Sequence, residues 1–389
     1  MIVLHNIHSI NADFENVTIK DGKIINISSA EKGDAHNNSI HLHFDDAFAF
    51  PGLINSHDHL EFDLFPQLGN RVYKSYLEWG ENIHLQDKEI IRSVLRVPKE
   101  LRAEWGIYKN LLAGITSVVH HGERMNINNK AINVFQDCYS LHSVRLEKLW
   151  KLKLNKPFAK DQPYVVHVGE GTNDEAFKEI NELIRWNFLK RKLIGIHGIA
   201  MNTQQAKAFE ALVWCPDSNF FLCNATARIH ELKTVTKILF GTDSTLSAGW
   251  NIWEQLRLAR SRGMLTDMEL YESLTRTPSL VWNLPERGSL TENKKADIVI
   301  AKIKDKTDIL NGFFSLNPED ILMIFKDGDI ILFDETVLAQ LTKHISIQEF
   351  SKIFINGTCK FIRGNLPALV KHIKQYNAEI KFPVEIDEK

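Results

Sequence analysis

The segment Pro51-Gly-Leu-Ile-Asn-Ser-His-Asp-His59 determines how the rest of the chain is interpreted. A short apolar run leads into two histidines separated by one residue, which is typical of a buried strand whose carboxyl end carries His57 and His59. Because side chains alternate along a strand with a period of two, we expect both imidazoles on one side, where they could bind one ion. Polar residues at the carboxyl ends of parallel strands are typical of active sites in α/β barrels.

Other apolar runs end in the same kind of residue. His167 follows the run at 164–166, and Glu170 comes three residues later. His197 follows the run at 193–196, and Asp243 follows the run at 237–240. In a barrel these strand ends converge on one face, so the sequence predicts that all of these side chains meet His57 and His59 there.

Strand and helix patterns alternate between residues 51 and 285. Further strands are predicted at 52–55, 114–119 and 212–215, and two more fit at 132–135 and 140–144. Helices are predicted at 87–112, 173–189, 203–211 and 251–262, with Asp87, Asn173 and Thr203 as N-caps. Eight strands with intervening helices over about 235 residues indicate an α/β fold, a (β/α)8 TIM-type barrel.

The two ends of the chain carry hairpin signals instead. Asp21-Gly22, Asp327-Gly328 and Asn356-Gly357 each separate two β-prone runs, and these dipeptides favour type I′ turns. Neither end is long enough to bury a core alone. We therefore predict one small β domain composed of residues 1–50 and 286–389, beside a barrel at 51–285.

Composition narrows the possible partners and cofactors. The 389 residues include 47 Lys plus Arg and 49 Asp plus Glu, a net charge of −2 that gives no reason to expect a nucleic-acid partner. Sixteen His stand against four Cys (Cys138, Cys215, Cys223, Cys359) without a C-x-x-C pair, so a bound metal would be held by His and carboxylates. No signal-peptide pattern and no apolar run of about 18 residues occurs, so we expect a cytoplasmic protein without a membrane partner.

Taken in order, these motifs resemble the amidohydrolase superfamily. P-G-L-I-N-x-H-x-H, H-x-x-E, a strand-end His and Gly241-Thr-Asp-Ser244 are similar to its aminohydrolase/chlorohydrolase-like branch, which deaminates cyclic amidines. Cys215-Pro-Asp-Ser-Asn219 resembles that branch's C-P-x-S-N motif, and Lys294-Lys-Ala-Asp-Ile-Val299 resembles its return strand. The resemblance implies that the terminal β segments form a composite β-sandwich.

The resemblance also implies a role for each strand-end residue. His57, His59, His167 and Asp243 would hold one divalent metal ion, zinc in preference to iron, which lowers the pKa of a water molecule. Asp243 would accept the proton of that water, and Glu170, as a general acid/base, would shuttle a proton to the ring nitrogen and then to the leaving amine. His197 would stabilise the attacked carbon by hydrogen bonding.

Some residues depart from the family pattern. His120 and His121 stand where many relatives carry a carboxylate after the second strand, and three roles stay open for them: contacting substrate, binding a second metal, or packing. Glu61 follows the H-x-H motif and could reach the mouth of the site. Trp79 and Glu81 lie in the long segment after the first strand, where a loop over the barrel mouth could contact substrate.

Three functions remain open from the sequence. The first is deamination of a purine, pyrimidine or related heterocycle, and the second is ring opening of a cyclic amide such as an imidazolone. H-x-x-E occurs in both reaction types, so the residues barely separate them. The third is a catalytically silent scaffold homologue, which predicts missing metal ligands. By analogy with the family, a homo-oligomer is possible.

Overall fold

Strands and helices alternate through most of the chain, and the computed structural model describes residues 1–10, 16–28, 39–157 and 161–386. The strands are β1 (Ile2–Ser9), β2 (Asn16–Lys20), β3 (Lys23–Ser28), β4 (Ile40–Pro51), β5 (Leu53–Asp58), β6 (Ile115–His120), β7 (Asn133–Phe135), β8 (Tyr139–Ser143), β9 (Tyr164–Val168), β10 (Leu193–His197), β11 (Ala211–Trp214), β12 (Lys237–Phe240), β13 (Ile298–Lys302), β14 (Ile321–Lys326), β15 (Asp329–Asp334), β16 (Phe350–Ile355), β17 (Thr358–Arg363) and β18 (Glu385–Ile386). The helices are α1 (Tyr76–Gln86), α2 (Lys88–Leu95), α3 (Lys99–Leu112), α4 (Trp150–Leu154), α5 (Asp174–Trp186), α6 (Thr203–Ala206), α7 (Pro216–Cys223), α8 (Ile229–Leu232), α9 (Ile252–Ser261), α10 (Asp267–Glu272), α11 (Arg276–Val281), α12 (Ile309–Phe314), α13 (Leu338–Leu341) and α14 (Leu366–Tyr376).

Strands β5 to β12 form the barrel. They pair in parallel in two arcs, β5-β6-β7 and β8-β9-β10-β11-β12. The last strand meets the first through Asp243, whose backbone N–H donates to the His57 carbonyl at 3.1 Å. Strands β7 and β8 fall where the sequence left two strands open, so all eight predicted barrel strands are present.

One residue in two along the barrel strands faces the interior. Ile54, Val119, Val165, Val213 and Leu239 belong to one buried apolar cluster. These residues come from five different strands, and they can meet only inside the barrel. The period-two alternation read from the sequence therefore decides which side chains point toward the barrel axis.

The chain ends build a single ten-stranded sheet in the order β18-β16-β17-β15-β14-β13-β4-β1-β2-β3. Its three predicted hairpins are confirmed, because the turn residues Asp21, Asp327 and Asn356 have φ of 50°, 51° and 46° and are each followed by a glycine with positive φ. The predicted combination of an α/β barrel with a composite β-sandwich made from both chain ends is confirmed. The domain boundaries at 50/51 and 285/286 stay a prediction.

Two predicted helices differ from the structure. The segment 87–112 contains two helices, α2 and α3, because Pro98 disfavours helical backbone in the residue before it. The predicted helix at 203–211 is only α6, and its N-cap is Asn202 rather than Thr203, since Asn202 accepts from the Gln205 N–H in a capping box. Asn173 caps α5 as predicted, accepting from the Ala176 N–H at 3.0 Å. In the stretches of chain with described structure, no helix is long and apolar enough to cross a bilayer.

Phe313 joins the two parts of the molecule. It is fully buried, and its ring lies 5.1 Å from Phe50 at the end of β4, 5.1 Å from Trp253 on α9 and 5.2 Å from Tyr271 on α10. These edge-on contacts connect the sheet strand that leads into the barrel with two barrel helices.

We predict that Phe313→Ala lowers the free energy of unfolding by about 3–5 kcal/mol, because it leaves a cavity among these rings. Phe188→Ala is the matched control, since Phe188 is 64% exposed, and it should stay within about 0.5 kcal/mol of the unmodified protein. Denaturant unfolding measures both. Equal stability of the two variants would contradict the packing role of Phe313.

Candidate active site

The predicted strand-end residues come together at the carboxyl ends of the barrel strands. The His167 Nε2 atom lies 3.3 Å from the Nε2 atoms of both His57 and His59. The His57 Nε2 atom lies 3.6 Å from Asp243 Oδ1, and the His59 Nε2 atom lies 4.0 Å from the same oxygen. Nitrogen ligands around a tetrahedral zinc ion, each about 2.0–2.1 Å from it, are about 3.3 Å apart. The three imidazoles therefore have the spacing of metal ligands. Donor atoms within 4.8 Å of one another form two groups that share His57, one with His59, His121 and His167 and the other with His197 and Asp243.

Local backbone irregularities aim several of these side chains. The register of β5 against β6 shifts between Asn55 and Asp58, the stretch that contains His57. His197 and Asp243 have φ of 70° and 56°, a left-handed conformation that non-glycine residues seldom adopt. Such strain persists only where the surrounding structure enforces it, and it is concentrated at functional sites.

Neighbouring groups fix the orientation of the site residues. His167 donates from Nδ1 to the His142 carbonyl at 2.8 Å, which leaves the Nε2 lone pair facing the other imidazoles. His197 Nδ1 pairs with Asn219 Oδ1 at 2.8 Å. Asp243 Oδ2 accepts from the Ser218 and Ser247 hydroxyls at 2.8 and 2.9 Å.

No role was predicted for Ser218, Asn219 or Ser247, although the first two are the Ser and Asn of the motif at 215–219. Ser218 and Asn219 lie in the first turn of α7, which starts at Pro216 directly after a barrel strand. A proline at the first helical position after a strand end was the available signal, because it places the following polar residues at the carboxyl face.

Burial disfavours the protonated form of His57 and His167. Burial lowers the pKa of His57 to about 4, and it lowers the pKa of His167 well below its ordinary value. Burial alone would raise the pKa of Asp243, but its contact with His57 and the other imidazoles lowers that pKa well below the usual range. Neutral imidazoles and an ionised carboxylate are the protonation states that metal ligation requires.

The pKa of Glu170 is shifted in the opposite direction to that of Asp243. Burial, then the neighbouring Asp243 and Glu179, raises the pKa of Glu170 well above its ordinary value. Its Oε2 atom lies 3.5 Å from His197 Nε2. The turn before it is anchored by Glu179, which accepts from the Gly169 N–H at 2.7 Å. Glu170 is therefore a buried carboxyl group with a raised pKa beside the imidazole cluster.

A buried ion network supports the first strand end. Lys109 on α3 donates to Asp58 Oδ2 at 2.9 Å and to Asp63 Oδ1 at 2.7 Å. Asp58 Oδ2 also accepts from Asn110 at 2.7 Å, and Asn55 donates to the Thr242 hydroxyl at 2.7 Å. The network connects α3 to the residues on either side of His57 and to the residue before Asp243.

The remaining predicted residues are divided among three places. His121 lies inside the imidazole cluster, whereas His120 Nδ1 lies 3.8 Å from Glu61 Oε2 in a separate group that includes Lys99. The expected loop over the barrel mouth contains helix α1, on which Trp79 donates to the Leu68 carbonyl at 2.7 Å. Glu81 is exposed on the same helix.

Comparison with known proteins agrees with this geometry. A sequence profile described as the amidohydrolase family matches residues 158–331. The chain resembles the amidohydrolase superfamily. The predicted resemblance to its deaminase and chlorohydrolase branch is confirmed, and so is the coarse prediction of a metal-dependent amidohydrolase that acts on C–N bonds other than peptide bonds. No curated protein matches the chain.

Solved structures share the fold over most of the chain. A zinc-bound adenosine deaminase from Xanthomonas campestris aligns with a TM-score of 0.67 at 14% identity, covering 97% of this chain and 98% of its own. A mutant atrazine chlorohydrolase from Arthrobacter aurescens, complexed with zinc and atraton, aligns with a TM-score of 0.62 at 16% identity, covering 88% and 99%. Guanine deaminase from C. acetobutylicum, with guanine bound in its active site, aligns with a TM-score of 0.63 at 13% identity, covering 84% and 99%.

The buried network predicts a specific effect of Lys109→Met. Removing the cation leaves Asp58 and Asp63 unpaired, so the free energy of unfolding should fall by about 3–5 kcal/mol. The same change should weaken zinc binding, because the His57–His59 segment loses its anchor. Denaturant unfolding and zinc titration measure the two effects.

Lys360→Met is the matched control. Lys360 is equally buried and donates to Asp334 at 2.7 Å, but it lies in the terminal sheet. This variant should lose similar stability and keep its zinc affinity. Equal zinc affinity in the two variants would show that the Lys109 network does not hold the site.

Proposed function

We propose that this protein hydrolytically deaminates a small heterocyclic amidine, a purine, a pyrimidine or a related ring, with the help of one divalent metal ion. The observation that carries the proposal is the placement of Glu170, a buried carboxyl group with a raised pKa, 3.5 Å from His197 and beside the imidazole cluster that contacts Asp243, whose pKa is lowered. Deamination needs both halves, because water must lose a proton and the leaving amine must gain one.

In this proposal His57, His59, His167 and Asp243 hold the ion, and zinc is preferred over iron. A divalent metal in such a site lowers the pKa of water toward 7 and so supplies hydroxide at physiological pH. Buried imidazoles and a carboxylate match the ligands that zinc takes in catalytic sites. Zinc in two of the compared structures supports this choice.

The chain's own residues would then move the protons. Asp243 accepts the proton of the attacking water, since its carboxylate is ionised and lies beside the metal-binding imidazoles. Glu170, whose pKa is raised, donates its proton to the ring nitrogen, takes the hydroxyl proton of the attacked carbon as the carbonyl forms, and passes that proton to the departing amine. The proton held by Asp243 then restores the Glu170 acid. His197 hydrogen-bonds to the attacked carbon's substituent, and Asn219 fixes the orientation of its ring.

Several finer assignments accompany the proposal. The barrel at 51–285 is the catalytic unit, and residues 1–50 and 286–389 form the domain beside it. Glu61, His120, Trp79 and Glu81 stay predicted substrate contacts. A cytoplasmic location and a homo-oligomer stay predictions as well.

Ammonia release from a panel of purines, pyrimidines, triazines, thioadenosine-type nucleosides and an imidazolone tests the reaction. We expect ammonia in stoichiometric amounts with a ring carbonyl product from at least one amidine on the panel. Loss of a cyclic amide such as an imidazolone without ammonia would instead establish ring opening. No turnover of any compound by the metal-loaded protein would favour the silent scaffold.

Glu170→Gln should retain the metal and lose proton transfer. We expect kcat to fall by roughly 10²–10⁴ while the bound metal stays at the level of the unmodified protein. Steady-state kinetics and metal analysis measure the two quantities on one preparation. An unchanged kcat would remove Glu170 from the mechanism.

The double variant His57→Ala/His59→Ala should lose the metal, because two of the imidazole donors disappear. Asp243→Ala and His167→Ala should abolish turnover while the circular dichroism spectrum stays native. Metal analysis after dialysis against a chelator gives the readout. Full activity from a metal-free double variant would contradict the metal-dependent mechanism.

A further inference from the structure

His121 lies directly after β6, on the inner side of the barrel. Val119, two residues earlier, belongs to the interior apolar cluster, so strand alternation points His121 toward the barrel axis. His120 falls on the opposite side, where its Nε2 pairs with the Glu123 carbonyl at 3.2 Å. Two adjacent histidines of equal burial, 2% exposed each, thus have different surroundings.

The His121 ring packs among the proposed metal ligands. Its centroid lies 4.5 Å from that of His167, 5.2 Å from that of His57 and 5.3 Å from that of His59. One nitrogen from each of these four imidazoles lies within 4.8 Å of the others. The cluster is therefore a group of four histidines, one more than the family pattern supplies.

Hydrogen bonding fixes which His121 nitrogen is free. The Nε2 atom lies 3.3 Å from the Leu141 carbonyl oxygen, which can only accept, so Nε2 carries the proton and Nδ1 carries the lone pair. Nδ1 is buried and has no hydrogen-bond partner within the described part of the chain. Metal-binding histidines characteristically donate their other ring N–H to a backbone carbonyl in this way.

We infer that His121 Nδ1 is a further ligand of the metal ion held by His57, His59, His167 and Asp243. The inference rests on the metal centre of the proposed function and extends it by one imidazole. A buried lone pair without a partner is costly, and coordination removes that cost. Four imidazoles also bias the site toward zinc and against magnesium or calcium, which prefer oxygen ligands.

Zinc affinity and zinc coordination in His121→Ala test the inference on the full-length protein. We expect the zinc dissociation constant, measured by chelator competition, to rise by about 100-fold or more, beyond the range typical of supporting residues. X-ray absorption of the zinc-loaded variant should show three imidazoles in place of four. Added imidazole should restore the lost ligand.

His120→Ala is the matched control, and its zinc affinity and imidazole count should stay at the level of the unmodified protein. His121→Phe, which keeps the ring volume without a donor nitrogen, should behave as His121→Ala does and guards against collapse of the cavity. Unchanged zinc affinity and coordination in both His121 variants would overturn the inference and leave the metal centre intact. Failure of the unmodified protein to bind zinc would instead overturn the metal centre itself.

Discussion

Lys109 is a cation without access to water, and the geometry of the site depends on how its charge is balanced. It lies between Asp58 and Asp63, which stand on either side of His59 in the sequence. Burial, then the charge of Asp58, raises the pKa of Asp63 well above its ordinary value, whereas the contact with Lys109 acts in the opposite direction. If α3 moved away from the first barrel strand, Lys109 and the two carboxyl groups would each be buried without an opposite charge beside them. The helix and the H-x-H segment are therefore fixed to each other by electrostatics.

The site itself shifts the pKa values of its histidines and carboxyl groups in different directions. Burial lowers the pKa of His167 and raises that of Glu170, whereas contacts with His57 and the other imidazoles lower the pKa of Asp243. The pKa values of two carboxyl groups in one small volume are thus moved in opposite directions. When their environments move the pKa values of two carboxyl groups apart in this way, one group can act as an acid and the other as a base.

The sequence predicts those site residues whose position follows from regular strand geometry. His167 and His121 lie two residues after Val165 and Val119, so alternation alone places them inside the barrel. His197 follows the interior residue Ile196 directly, and alternation would turn it outward; its positive φ redirects it. Asn, Asp and His are enriched in left-handed conformations, but most of them lie in other regions of φ/ψ space, so the strand pattern could not supply the direction.

Other parts of the site depend on groups that a sequence does not distinguish. The carbonyls of Leu141 and His142 select the tautomers of His121 and His167, and every residue carries such a carbonyl. The ends of helices were less predictable from the sequence than the strands. Helix α6 has only four residues, and its N-terminus is set by reciprocal hydrogen bonds between Asn202 and Gln205. Strands and the residues at their ends could be predicted because side chains alternate with a period of two. Hairpins could be predicted because their turns carry Asp-Gly or Asn-Gly.

Strand β4 has a consequence for how the chain folds during synthesis. It pairs with β1 on one edge and with β13 on the other, so one edge of an N-terminal strand finds its partner only about 250 residues later. At ribosomal rates of about 5–20 residues per second, that edge is unpaired for roughly 10–50 s. During this interval the apolar end of β4 is a site for chaperone capture or for mispairing with another nascent chain. Translation speed across the barrel-coding region therefore sets how long the molecule is vulnerable.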